Sequence, residues 1–182
     1  MKGLCSLVCS CLLLLMCIFL PQQCRAGQEE ALEMSPNRFS LLFNSYAKDF
    51  GLPRMPVTPQ KKDKNERAVV HSYFLSNTLV IQYHLLPENT DKLRNVIFIG
   101  TGDGTEQSGQ AMLLGAMAFV AALTPDMNSD QRGQLLKLLG LLPLEVVDGK
   151  PRGAVYGALR IQSSYSQKTG MLLVASPAKK AE

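Results

Sequence analysis

His71 and His84 are the only two histidines in the chain, and both fall in a stretch where apolar and polar residues alternate. Imidazole is the side chain that ligates metals and exchanges protons near neutral pH. If residues 67–75 and 78–86 are strands joined by a two-residue Ser76-Asn77 turn, His71 lies opposite Gln82 and His84 opposite Val69. The two rings are then diagonal neighbours on one face, close enough to share a metal or a pH-sensitive contact. A zinc site asks for three or four protein ligands, and no third is near in sequence, so no metal site is expected. The structural alternative is two exposed histidines on a sheet. In either case His71, Tyr73, Gln82 and His84 make a polar face that could meet a protein partner, with Thr78 beside them.

A second constellation is glycine-rich: Gly100-Thr101-Gly102-Asp103-Gly104-Thr105, between an apolar run and a helical stretch. A strand, a glycine turn and a helix start can hold phosphate on free backbone N–H groups. The detailed fingerprints fail. Thr105 stands where a dinucleotide fold needs its third glycine, and no second βαβ strand follows. Gly104 and Gly109 have P-loop spacing, but Gln110-Ala111 replaces the Lys and Ser/Thr that hold phosphate and magnesium. The bland reading is a tight connection with Thr105 as helix N-cap. Gly100, Gly102, Asp103, Gly104 and Thr105 remain the residues of a ligand loop if there is one. No Gly-x-Ser-x-Gly elbow exists, and the acidic residues are scattered, so no catalytic residue is assigned.

The rest of the inventory is narrow. All five cysteines lie within the first 24 residues, in a segment that reads as a secretory leader. Lys2 supplies the positive start, residues 4–20 are an uncharged apolar run, and Cys24-Arg25-Ala26 offers a cleavage site after Ala26. The alternatives are an uncleaved anchor, for which the run is a little short of the roughly 20 residues needed, and a lipoprotein acylated at Cys24. Cleavage removes every cysteine, and with them disulfides and thiolate chemistry. A net charge of +4 over 182 residues is too weak for a nucleic-acid binder, and 46% hydrophobic content suits an ordinary globular chain.

The elements that must position these residues follow from periodicity. Ser35-Pro36 starts a helix over residues 36–50, with Phe39, Leu42, Phe43, Tyr46 and Phe50 on one face and Gly51 as its stop. Pro53, Pro56 and Pro59 suggest a stiff extended linker, and Lys61, Lys62, Lys64 and Arg67 a solvated segment. Strands are expected at 67–75, 78–86 and 94–99, with Val70, Phe74, Leu79, Ile81, Tyr83 and Leu85 facing the core. Residues 106–123 form a helix whose small residues admit close packing, and Asn128 or Ser129 caps a third helix ending at Gly140. Residues 154–165 and 171–175 form a closing hairpin. The expected fold is α+β: an antiparallel sheet of about five strands, helices packed on one face, order α-β-β-β-α-α-β-β. Its expected extent is a cleaved signal at 1–26, a short tail at 27–35, one domain at 36–176 and a flexible tail at 177–182.

That order across residues 36–175 resembles the type III secretion chaperones, which bind extended segments of client proteins. The likeness is of element order alone, and this chain departs in having a leader and in ending on a strand. The resulting expectation is a small exported protein, periplasmic or extracellular, acting as a non-catalytic binding module for a protein or peptide, self-association being one form of this. No cofactor, nucleic acid or membrane contact after cleavage is expected. The alternative is a small-ligand binder or enzyme using the loop 100–105.

Overall fold

The computed structural model describes residues 31–65, 68–142, 150–166 and 170–178. The expected leader and residues 179–182 of the expected C-terminal tail lie outside them. The described residues form an α+β fold with three helices and one antiparallel sheet of seven strands. In chain order these are α1 (Pro36–Asp49), β1 (Lys61–Lys64), β2 (Val69–Phe74), β3 (Leu79–Leu86), β4 (Asn89–Gly100), α2 (Glu106–Leu123), α3 (Ser129–Leu138), β5 (Arg152–Tyr156), β6 (Leu159–Ser166) and β7 (Gly170–Pro177). The sheet runs β1-β2-β3-β4-β7-β6-β5, so two antiparallel blocks meet where β4 pairs with β7.

The helices begin where side-chain caps dictate. Ser35 Oγ accepts from the Arg38 N–H at 3.2 Å, with Pro36 at the first helical position. Thr105 Oγ1 accepts from the Ser108 N–H at 3.2 Å. Asn128 and Gln131 exchange side-chain bonds in a full capping box. Each cap satisfies an N–H that the helix itself cannot.

The strands correct the sequence expectation in three places. Lys61–Lys64 is an edge strand, where a solvated segment was expected; all four residues are exposed, so no alternation marks it. The Gln60 side chain extends that edge by donating to the Phe74 carbonyl and accepting its N–H. The third strand begins at Asn89, inside the expected turn, because a bulge near Leu85 lets β4 run on. The expected strand over 154–165 is two strands, since Gly157, at φ +56, folds β5 back onto β6. The observed order is therefore α-β-β-β-β-α-α-β-β-β.

One core joins helices and sheet. Phe39 of α1 packs edge-on against Tyr83 and Phe119 at 5.7 Å each, and Phe119 of α2 lies 5.9 Å from Phe98. The Tyr83 hydroxyl contacts Ser40 Oγ at 2.7 Å and donates to Met55 Sδ, so this buried phenol is not left unpaired. Asn44 clamps the linker by accepting the Met55 N–H at 2.7 Å, which anchors Met55 in the core. Leu32, expected in a tail, is buried and donates its N–H to the Leu93 carbonyl at 2.7 Å.

Candidate functional site

The β2–β3 hairpin decides which side chains can act together. Its register pairs Phe74 with Val80, His71 with Tyr83 and Val70 with His84. This is one residue away from the expected pairing. Ser76 Oγ accepts the N–H groups of Thr78 and Leu79 while Leu75 donates to the Leu79 carbonyl, so the connection takes three residues, not two. A one-residue slip turns every side chain of one strand to the other face.

The expected polar face is accordingly split. His71 and Tyr73 turn toward the helices, Tyr73 packing 4.9 Å from the Tyr83 ring. Gln82 and His84 lie on the opposite, outer face, with Val70 and Phe74, which were expected inside. The two imidazoles are separated by the sheet and cannot share a metal. Burial lowers the His71 pKa, helped by Lys62 opposite it; burial also lowers that of His84, helped by Arg94. Burial alone raises the Tyr73 phenol.

Several polar groups of the loop 100–105 are held within it and by its neighbours, Thr101 donating its N–H to the Thr78 carbonyl at 2.8 Å. The Asp103 carboxylate accepts the Thr105 N–H at 3.0 Å and its hydroxyl at 2.7 Å, while the Asp103 N–H donates to Ser108 Oγ. Hydrogen bonding from Ser108, then from the Thr105 hydroxyl and N–H, holds the Asp103 carboxyl down at about 2. A carboxylate therefore sits at the α2 N-terminus, where an anionic ligand would have to bind. Gly104 supplies the positive φ of the turn, and Gly100 ends β4 against β7. A Cβ at Gly102 would stand 3.9 Å from the Ser108 hydroxyl, an ordinary contact.

The sequence reading missed a surface on the outer face. Phe74, Val80, Ile99 and Leu172 form one unbroken cross-strand row over β2, β3, β4 and β7. The next row on that face is Gln82, Ile97 and Val174. Phe74 is 45% exposed and Leu172 39%, and the branched side chains between them are half-buried. Gln82 donates to Ser72 Oγ at 3.2 Å, so its amide is tied down within the face. A charge-free strip of this kind carries no acid–base chemistry, but it can bury apolar area against a partner. The missed signal was the run Asn95-Val96-Ile97-Phe98-Ile99, apolar on both sides of the strand.

An open cleft of about 330 Å³ lies beyond the β5–β6 turn, floored by Leu32, Leu123 and Leu159 and rimmed by Glu33, Arg38 and Asp126. Distant parts of the chain meet there, so no spacing in the sequence announces it. No described helix is long and apolar enough to cross a membrane. Among the described residues no three His, Cys, Asp or Glu side chains gather to hold a metal.

No family model matches the sequence, and neither a curated protein nor a solved structure matches the chain. The observed order, with four strands before the two central helices and three after, also departs from the order on which the likeness to type III secretion chaperones rests.

Proposed function

We propose that this chain is an exported, non-catalytic binding module whose contact surface is the outer face of its sheet. The observation that carries the reading is the apolar row Phe74, Val80, Ile99 and Leu172, which the helices leave uncovered. Exposed apolar surface costs solubility unless something covers it, and contiguous patches on otherwise ordinary proteins mark interaction sites. Export rests on the leader read from residues 1–26. The alternative, a ligand site or enzyme at Gly100–Thr105, has less support, because Asp103 fills the helix N-terminus that such a site would use.

The test is site-specific photocrosslinking in the compartment to which the chain is exported, with the crosslinker at Phe74, at Leu172 or at the fully exposed linker residue Val57. Adducts from Phe74 and Leu172 but not Val57 are expected, and they should survive replacement of Gly102 and Asp103. Adducts from Val57 alone, or adducts lost with the loop replacement, would overturn the reading.

A further inference from the structure

We infer that the occupant of the outer face is a second copy of this chain, docked face to face about a twofold axis parallel to β4. The inference rests on reading that face as a binding surface, and adds the partner. Three observations lead to it.

The first is size. Seven strands about 4.8 Å apart, with strands of about 20 Å, present on the order of 600 Å² to one side. Two such faces together would hide on the order of 1,200 Å², the lower end of stable interfaces. One extended peptide would cover about a third of that width, leaving the rest of the face wet. A flat partner of equal breadth fits better, and sheets stack well when their strands are nearly aligned.

The second is self-complementarity. A twofold axis along β4 lays β4 on β4, β3 on the partner's β7, and β2 on the partner's β6, given the strand order. Ile97 and Ile99 then meet their own equivalents at the centre. Val80 lies over the partner's Leu172, and Phe74 over the partner's Ser164, where a small side chain leaves room for the ring.

The third is charge. The same operation lays β1 over the partner's β5, beside its β6. Asp63 of β1 shares the outer face with Val70, and Arg160 of β6 shares it with Ser176. Asp63, already 3.1 Å from Lys61, is carried toward the partner's Arg160, so opposite charges meet at both symmetric rims. Between those rims the row holds Val70, His84, Asn95 and Ser176, and the uncharged apolar row of Phe74, Val80, Ile99 and Leu172 lies further along the strands.

The decisive measurement is sedimentation of the exported protein over a micromolar to millimolar series. A reversible dimer is expected. Ile99→Asp and, separately, Leu172→Glu should each abolish it while circular dichroism and melting show the fold intact. Asp63→Arg should weaken association several-fold, and adding Arg160→Asp should recover it. A chain that stays monomeric throughout overturns the second copy, while adducts to another protein from Phe74 would keep the binding face itself. A dimer that survives both face variants, or a charge swap that recovers nothing, overturns the proposed geometry.

Discussion

Where β3, β4 and β7 run side by side, both faces of the sheet carry apolar residues and differ in what covers them. On the inner face Ile81, Tyr83, Val96, Phe98 and Leu173 are all at most 1% exposed, packed beneath Phe39 and Phe119. On the outer face Val80, Ile97, Ile99, Leu172 and Val174 are equally apolar but remain in contact with water. An antiparallel sheet with one solvated face ordinarily alternates apolar inside and polar outside. In the middle of the sheet β4 and β7 do not, with Ile97, Ile99, Leu172 and Val174 outside. The inner face builds the fold, and the outer face leaves this apolar strip partly in contact with water. The two sheet edges show a parallel contrast: β1 carries Lys61, Lys62 and Lys64, which discourage a further strand, whereas β5 ends the sheet with Val155 and Tyr156 exposed.

The sharpest way to test this contrast is to truncate one side chain on each face. Phe98→Ala should cost about 3–5 kcal/mol, the range for a buried aromatic, and Ile97→Ala only about 1 kcal/mol, because it is half-exposed already. Urea unfolding of the two variants at concentrations where the chain is monomeric measures both; equal costs there would mean that the outer face is covered within the monomer. A smaller effect probes how α2 reaches the inner face. A Cβ at Gly115 would lie 2.9 Å from the Phe98 ring. Gly115→Ala should therefore destabilise by about 1–2 kcal/mol despite its better helix propensity. The same change should be nearly neutral in a Phe98→Ala background, where the wall is gone.

The smallest effect is a pH dependence. The folded state holds both histidines below their ordinary value of 6.5. As pH falls below 6.5 the unfolded chain takes up protons first, so stability is greatest above 6.5 and declines toward the lowered folded values. His84→Gln should flatten the part of this slope that comes from the outer face and His71→Gln the part from the inner, read as melting temperature against pH. An unchanged slope in both variants would mean that the imidazoles titrate alike in folded and unfolded chains.

The helices were legible in the sequence because their signals are local. Ser35-Pro36, Thr105 and Asn128 with Gln131 cap their helices through bonds that span three residues. The strands were legible in type but not in number or register. Fully exposed β1 has no periodicity to read, and the break at Gly157 rests on one glycine's backbone. In the β2–β3 hairpin the sequence allowed two turns of different length. Ser76 Oγ and the packing of Tyr73 against Tyr83 chose between them, exchanging the positions of His71 and Phe74 across the sheet.

By itself, then, the chain's sequence determined the helices, the α+β class and the stock of available chemistry, since caps, periodicity and residue types act over a few positions. Only the tertiary structure decided which residues share a face. That choice depends on strand register and on where Phe39 and Phe119 press, and both are settled between segments far apart in the chain.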